Sequence, residues 1–210
     1  MDKIGVSADL VHWFNSYLKD RKLCVKLGPA LSVNFTNISG VPQGSNLGPL
    51  LFTIFLNDVG LVLSPGCRVF YADDVKIFVV VRSLIDCLRL QQLINEFSDW
   101  CSRNFLTLSV QKCNVISFHR KLKPILFDYM INDQQLQRVE TVRDLGIMLD
   151  APLTFKPHYA DIAAKASKQL GFIFKVADEF RDPTCLKALY CALLRSILEF
   201  DLFIWCPYQR

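Results

Sequence analysis

The sequence predicts an α+β fold, in which an antiparallel sheet with helices on one face is followed by a small region of helices alone. Three patterns support this prediction. Strand-like and helix-like segments alternate through the first 150 residues, the stretch VFYADDVKIF at residues 69–78 is typical of a β-hairpin, and residues from 157 onward show helical periodicity. With 210 residues, 51% of them hydrophobic, the chain is long enough to bury a sizeable core.

The first elements are predicted to be a helix and a two-stranded hairpin. Apolar residues at positions 10, 11, 14, 17 and 18 recur at helical spacing. After a break at Asp20 and Arg21, apolar residues alternate with others over residues 22–27, which indicates a strand. The Gly28-Pro29 pair then predicts a turn into a second strand over residues 30–37, before a loop at residues 38–45.

A helix that is apolar nearly all round is predicted from Leu47 onward, so we expect it at the centre of the core. Residues 47–63 are too interrupted to span a bilayer. The interruptions are Pro49, Asn57, Asp58 and Gly60. The N-terminus has scattered charges and lacks the apolar stretch of a secretory signal, so we expect an intracellular protein, nuclear or cytoplasmic, that is not secreted.

The middle of the chain is predicted to form a hairpin that carries two acids at its tip and lies at the centre of the antiparallel sheet. Residues 67–71 and 75–81 are rich in β-branched and aromatic side chains, which favour strands. The turn between them would contain Ala72, Asp73 and Asp74.

A long helix and two short strands are predicted to follow this hairpin. Ser83 is a suitable cap for a helix whose inward positions recur as far as Cys101. Residues 106–108 and 115–118 are then predicted to be strands on either side of a turn at residues 109–114.

The C-terminal part is predicted to contain one strand, over residues 142–149, and then helices. Pro157 opens a helix and the Asp182-Pro183 pair opens another. The loop at residues 150–156 is therefore the best boundary, which gives regions 1–150 and 151–210. The inward side of the first of these helices is predicted to be Tyr159, Ile162, Ala163, Ala166, Leu170, Ile173 and Phe174.

The cysteines and histidines show no spacing typical of disulfide frameworks or zinc sites. Eight cysteines occur singly, mostly in apolar segments, and are predicted to be reduced core residues. The three histidines are dispersed. The net charge of +4 permits a polyanionic partner without indicating one. A phosphate-facing patch is predicted from basic residues that are interleaved with Phe105 and Phe118, namely Arg103, Lys112, Arg120, Lys121 and Lys123.

The adjacent acids Asp73 and Asp74 are the strongest candidate for a functional site. Two like charges about 4 Å apart repel by several kcal/mol at the effective dielectric of a protein surface, unless a cation lies between them. Magnesium binds carboxylate oxygens together with substrate phosphates, and two such ions can assist phosphoryl transfer. The alternative is an ordinary polar turn with solvated aspartates.

Two further motifs accompany the acid pair. GVPQGSNLGPLLF at residues 40–52 is a glycine-rich loop that opens a helix, an arrangement that favours phosphate. The pattern W...N.L.L...KC follows at residues 100–113. Together with LVHWFNSYLKDR (10–21), FYADD (70–74), LGIMLD (145–150), KASKQLGFIFK (165–175) and LYCALLRSILEF (189–200), the chain resembles reverse transcriptases of non-LTR (LINE-like) retrotransposons of the jockey type.

This resemblance implies an RNA-directed DNA polymerase, in which a palm is followed by a helical thumb and two magnesium ions act in nucleotidyl transfer. RNA template, DNA primer and dNTPs would be its partners. Asp73 and Asp74 would be metal ligands, and Lys112 resembles the lysine that protonates the leaving pyrophosphate. The incoming nucleotide and template base would lie against Pro42, Gln43, Gly44 and Ser45.

The primer contacts implied by the resemblance are Tyr71 near the primer end and the strand containing Leu145 and Gly146. Each of these assignments has a plainer alternative. Tyr71 fits a core aromatic equally well, Lys112 fits a solvated turn residue, and Leu145 and Gly146 fit an ordinary strand and turn.

The family also has a bridging aspartate on a strand before the segment that matches residues 10–21, and we expect that strand and the fingers to be missing here. The chain alone would then be inactive as a polymerase, since electrostatic stabilisation is usually the largest catalytic term. The alternatives are a non-catalytic retrotransposon remnant that binds RNA or DNA, or a plain interaction scaffold.

Overall fold

The computed structural model describes residues 5–36, 40–63, 67–120, 124–177 and 182–205. The chain folds as two compact units. The first contains Met1–Val81 and Ile85–Leu108, and the second contains Arg82–Leu84 and Ser109–Arg210. The mixture of helices and strands confirms the α+β class. In the described part of the chain, no helix has the length and apolarity needed to cross a bilayer.

The first unit contains four helices and six short strands among its described residues. The helices are α1 (Ala8–Leu18), α2 (Gly48–Leu56), α3 (Val59–Val62) and α4 (Leu84–Arg103), of which α4 begins at the unit boundary. The strands are β1 (Lys22–Leu23), β2 (Lys26–Leu27), β3 (Ala30–Leu31), β4 (Phe35–Thr36), β5 (Arg68–Tyr71) and β6 (Asp74–Ile77).

The predicted helix and hairpin at the start of the chain are confirmed. β1 pairs with β4 and β2 pairs with β3, both antiparallel, around a turn at Gly28 and Pro29. Ser32 joins the two ladders, because its hydroxyl accepts a hydrogen bond from the Val25 amide at 2.9 Å. Residues 37–39, which belong to the end of the predicted second strand and the start of the loop, lie outside the described residues.

The core of the first unit is built on α4 rather than on α2. The buried cluster consists of Val59, Leu63, Leu93, Phe97, Trp100 and Cys101, against which partly buried residues of β5 and β6 pack. The prediction that the apolar helix α2 is central is wrong, since Leu50 is 52% exposed and Phe55 is 40% exposed. Helix α2 has apolar residues on several sides, but the described residues pack against only one of them.

The predicted sheet is not observed among the described residues, where every ladder has two strands. The prediction that the acidic hairpin lies at the centre of a larger antiparallel sheet is therefore wrong for this part of the chain. One reason is that residues 106–108 do not form a strand. The amide of Leu106 donates to Cys101 at 2.9 Å, and Phe105 has a φ of 57°, which together close the end of α4 in a Schellman motif.

The described residues of the second unit form six short strands and a C-terminal group of helices. A 3₁₀ turn (Val110–Lys112) precedes the strands β7 (Asn114–Val115), β8 (Met130–Ile131), β9 (Gln134–Gln135), β10 (Gln137–Arg138), β11 (Thr141–Asp144) and β12 (Ile147–Asp150). The helices are α5 (Lys156–Ala177), α6 (Pro183–Leu189), a π-helical segment (Tyr190–Arg195), α7 (Ser196–Glu199) and α8 (Leu202–Trp205).

Two strand predictions in the second unit need correction. β7 is shorter than the predicted strand at residues 115–118, and it pairs in parallel with β10. The single strand predicted over residues 142–149 is a hairpin of β11 and β12. Its turn is Leu145 and Gly146, with φ values of 47° and 96°, and positive φ at both positions is the mark of a type I′ turn.

Helix α5 buries a narrower face than the periodicity predicts. His158, Ile162, Ala166 and Ile173 are buried, and the last two form a core cluster with Leu194. Four positions predicted to face inward are instead exposed, namely Tyr159, Ala163, Leu170 and Phe174. The described residues pack against only one side of this helix.

The prediction that the cysteines are core residues is only partly right. Cys87 and Cys101 are buried, whereas Cys24 and Cys191 are exposed. The two buried cysteines both lie on the packed helix α4. An apolar segment elsewhere in the sequence does not ensure that its cysteine is buried.

Candidate active site

The two acids lie at the tip of the β5–β6 hairpin, but they are not both in its turn. The register pairs Tyr71 with Asp74, so the turn consists of Ala72 and Asp73 alone. The prediction that Asp74 belongs to the turn is therefore wrong, because it is the first residue of β6. Both carboxylates are exposed, as expected for groups that would meet a ligand from solvent.

Tyr71 is exposed rather than part of the core. Its exposed fraction is 60%, while Phe70 packs on the core from the other face of the same strand. The plainer alternative of a core aromatic therefore fails. Because cross-strand partners share a face, the Tyr71 ring and the Asp74 carboxylate lie on the same side of the hairpin.

The acid pair offers two adjacent carboxylates to a metal ion, and the described part of the chain supplies no third ligand to them. Within the described ranges, no three side chains of His, Cys, Asp or Glu form a group that could hold a metal. Magnesium retains several waters and is held by one or two carboxylates together with substrate phosphates. Asp73 and Asp74 therefore fit part of a magnesium site, and the described residues do not complete a two-metal site.

The glutamine loop is a tight turn that presents Gln43 to solvent. The Ser45 amide donates to the Pro42 carbonyl at 3.3 Å, and Gly44 has a φ of 78°, which together fit a type II turn with Gln43 at its corner. Gln43 and Gly44 are exposed, whereas Pro42 and Ser45 are partly buried. The two residues that can meet a ligand are thus Gln43 and Gly44.

Ser45 holds the loop against the first turn of α2. Its hydroxyl donates to the Pro42 carbonyl at 2.8 Å and accepts from the Gly48 amide at 3.0 Å. A Cβ at Gly48 would lie 3.1 Å from the Pro42 oxygen and 3.2 Å from the Ser45 hydroxyl, so glycine permits this close approach. Sequence reasoning treated Ser45 as a ligand contact and overlooked Gly48, although the G-S-x-x-G spacing is a local signal.

Lys112 is the last residue of the 3₁₀ turn and is exposed. Its amide donates to Ser109 at 2.9 Å, and its carbonyl accepts from the Asn114 side chain at 3.4 Å. Lys112 belongs to the second compact unit, while Asp73 and Asp74 belong to the first. Its role in protonating pyrophosphate stays a prediction.

Leu145 and Gly146 form an exposed turn that a distant residue supports. Leu145 is 47% exposed. A Cβ at Gly146 would lie only 2.8 Å from the Phe200 ring, so Phe200 packs directly on the turn. Phe200 was not among the predicted site residues, since nothing in the local sequence relates it to a turn more than fifty residues earlier.

The predicted basic patch is divided between the two units. Arg103 and Phe105 belong to the first, and Lys112, Phe118 and Arg120 to the second, while Lys121 and Lys123 lie outside the described residues. Phe105 is 96% exposed and Phe118 is 47% exposed. The patch therefore stays a prediction.

Comparison with known proteins decides the family. A family model described as reverse transcriptase (RNA-dependent DNA polymerase) matches residues 2–173, which is most of the chain. This chain belongs to the reverse transcriptase family. The resemblance predicted from the FYADD and glutamine-loop motifs is thereby confirmed, including its jockey-type, non-LTR character.

Three relatives from Drosophila illustrate the similarity of this chain to proteins of mobile elements. The probable RNA-directed DNA polymerase from transposon BS of Drosophila melanogaster is 32% identical over 201 residues, covering 90% of this chain and 22% of the relative. The corresponding protein from transposon X-element is 29% identical over 157 residues, or 71% of this chain and 17% of the relative. The RNA-directed DNA polymerase from mobile element jockey of Drosophila funebris is 28% identical over 166 residues, or 75% and 18%.

The chain therefore spans about a fifth of the length of these relatives. No solved structure matches it.

Proposed function

We propose that this chain is the palm and thumb part of an RNA-directed DNA polymerase, with residues 1–150 in the palm and 151–210 in a helical thumb. RNA template, DNA primer and dNTPs are its proposed partners. The observation that carries the proposal is the register of the β5–β6 hairpin, which holds Asp73 in a two-residue turn and Asp74 directly beside it, both exposed.

Each of the remaining site residues has a proposed task that its position permits. Gln43, at the corner of its turn, contacts the nucleotide or template base, while Ser45 and Pro42 hold that corner in place. Tyr71, on the same face as Asp74, contacts the primer end. Leu145 and Gly146 contact the primer through a turn rather than a strand, and Lys112 donates a proton to pyrophosphate.

Magnesium held by Asp73 and Asp74 would supply charge neutralisation for the phosphate oxygens of an incoming nucleotide. The described residues offer only this adjacent pair and no group of three ligands. We therefore expect the 210-residue chain alone to extend no primer.

Metal binding and polymerase activity can be tested separately. Mn²⁺ is expected to broaden the NMR amide signals of residues 72–75, and the double variant Asp73→Asn/Asp74→Asn is expected to abolish this broadening. Asp99→Asn is the matched control, because Asp99 is an exposed acid on α4. Equal broadening in all three proteins would exclude the acid pair as a metal site.

Primer extension on an RNA template with Mg²⁺ tests the expected inactivity. Extension that Asp73→Ala abolishes would establish an active polymerase and overturn the expected inactivity. A non-catalytic remnant that binds nucleic acid is the second candidate, favoured by the incomplete ligand set among the described residues. It predicts RNA binding that weakens as salt rises, without extension.

A further inference from the structure

Helix α1 carries two aromatic rings one helical turn apart, and a guanidinium from Arg21, just beyond the end of the helix, lies against the second ring. The rings of Trp13 and Tyr17 are stacked, with centroids 5.3 Å apart and planes 8° apart. The Arg21 guanidinium lies 4.8 Å from the centroid of the Tyr17 ring and donates to the Tyr17 carbonyl at 3.4 Å. Three flat groups, Trp13, Tyr17 and Arg21, thus follow one another in a column that begins on the helix and ends beyond it.

The ring at the end of the column is held in place but is not covered. Phe14 is buried and meets Trp13 edge-on, with centroids 5.3 Å apart and planes 70° apart. Trp13 itself is 49% exposed, although tryptophan is among the most highly buried side chains on average. A fixed, half-exposed indole at the end of a stack is a surface on which another flat group can continue the stack.

The surroundings of the column favour a negatively charged ligand. Residues 5–36 contain four lysine or arginine residues and two acids. The cations Lys19, Arg21, Lys22 and Lys26 all follow Tyr17 and outnumber the one acid among them, Asp20, whereas the other acid, Asp9, lies one turn before Trp13. Phosphates are therefore attracted to the Arg21 end, and an uncharged base is favoured at the Trp13 end.

We propose that Trp13, Tyr17 and Arg21 form a stacking site for an unpaired base of single-stranded nucleic acid, with its phosphates near Lys19 and Lys22. Sites of this kind combine aromatic platforms with cations that follow the backbone. The choice of ligand rests on the proposed function, because a template is unpaired before it is copied. The site itself uses no residue of the acid pair or of the glutamine loop.

The first experiment measures how the 210-residue chain binds a fluorescent oligo(U) of about 12 nucleotides, by anisotropy at low salt. Trp13→Leu is expected to raise the Kd about tenfold, within the range for loss of one stacked base. Trp13→Phe is expected to raise it about threefold or less, because the ring remains. Leu10→Ala is the control, since Leu10 is 45% exposed on the same helix, and its Kd should equal that of the wild type.

Other results of this measurement would overturn the proposal. Equal effects of Trp13→Leu and Trp13→Phe would show that the aromatic face is not used. No binding of oligo(U) by the wild-type chain would refute the base-stacking site. A duplex of the same length should be indifferent to Trp13→Leu, because its bases are already stacked; equal loss for the duplex would also refute the site.

Folding and the proposed polymerase function are controlled separately. Thermal melts of Trp13→Phe and wild type should coincide, so that any loss of affinity in that variant reflects stacking alone. The fold-increase in Kd for oligo(U) that Trp13→Leu causes should be the same in the wild-type chain and in the Asp73→Asn/Asp74→Asn background, although that background abolishes Mn²⁺ broadening. If the acid-pair variant loses Mn²⁺ broadening but the Kd for oligo(U) does not depend on Trp13, only the stacking site is refuted. If the Kd depends on Trp13 but the acid-pair variant keeps the broadening, only the metal site is refuted.

Discussion

The acidic hairpin β5–β6 and the C-terminal hairpin β11–β12 have the same length and different supports. Each pairs two four-residue strands around a two-residue turn. In the first, Ala72 has a φ of 50°, and the exposed acids are Asp73 in the turn and Asp74 directly after it. In the second, Leu145 and Gly146 have φ values of 47° and 96°, and Phe200 packs on the turn.

The second hairpin is also tied to helix α5 through its final strand. The Met148 amide donates to Nδ1 of the buried His158 at 3.4 Å. Asp150 accepts from the Thr154 hydroxyl at 2.5 Å and from the Phe155 amide at 2.7 Å. One hairpin is therefore held by its neighbours in sequence and in space, while the tip of the other is exposed.

The largest expected effect comes from Gly146→Ala. The new Cβ would lie 2.8 Å from the Phe200 ring, and the φ of 96° disfavours any side chain. We expect the free energy of unfolding to fall by about 3 kcal/mol, from backbone strain and overpacking together. Urea unfolding measures this loss.

Gly28→Ala is the matched control for that variant. Gly28 has a φ of 58°, and no heavy atom lies within 4 Å of the place that a Cβ would occupy, so only the backbone strain of about 1 kcal/mol should appear. A loss at Gly146 no larger than the loss at Gly28 would mean that Phe200 does not press on the turn. In that case the tip of the β11–β12 hairpin would be no better supported than the tip of the β5–β6 hairpin.

The next effect concerns Asp150, which ties β12 to α5. Burial raises the pKa of this carboxyl, but hydrogen bonds from Thr154 and Phe155 outweigh burial and leave the pKa below its ordinary value of 3.8. Asp150→Ala is expected to destabilise the chain by about 2 kcal/mol at neutral pH, because charge-assisted hydrogen bonds are lost. Thermal melts measure the difference.

The pH dependence of the Asp150 contribution has a definite sign. A pKa lower in the folded state means that the contribution is fully present above the ordinary carboxyl value of 3.8 and is lost as pH falls through the lower folded value. The melting temperatures of wild type and Asp150→Ala should therefore approach one another below pH 3.8. A gap that stays constant down to strongly acidic pH would show that the carboxylate charge is not involved.

A smaller effect of opposite sign is expected at Ala72. Its φ of 50° disfavours a residue with a Cβ, so Ala72→Gly should stabilise the hairpin by about 0.5 kcal/mol after the entropy of glycine is subtracted. Chemical denaturation measures this gain, and Ala163→Gly in helix α5 should instead lose about 1 kcal/mol. Destabilisation by Ala72→Gly would contradict strain at the acidic tip.

The smallest expected effect on stability is that of Asp73→Asn/Asp74→Asn. Both side chains are exposed, so neutralising them should change the free energy of unfolding by less than about 0.5 kcal/mol. A metal-free thermal melt checks this. A large loss would mean that the carboxylates hold the hairpin together and are not kept for a ligand.

Elements with strong local signals could be predicted from the sequence. Helix α1 and the N-terminal hairpin follow from apolar periodicity and the Gly28-Pro29 pair, and the acidic hairpin follows from β-branched residues around Ala72. The β11–β12 turn could not be predicted, because Leu145 is an unusual residue at positive φ. The exposure of Leu50 and Phe55 on α2 could not be predicted either, because the sequence of an apolar helix does not show which of its sides pack against other elements.

The sequence by itself determined the family, the adjacent carboxylates and the glycine-rich loop before α2, because these depend on residue identity and short spacing. Only the tertiary structure decided that Tyr71 is exposed, that Phe200 packs on Gly146 and that Trp13 ends an uncovered stack. The physical reason is that burial and long-range contact depend on which elements pack together, and neighbouring residues in the chain carry little information about that choice.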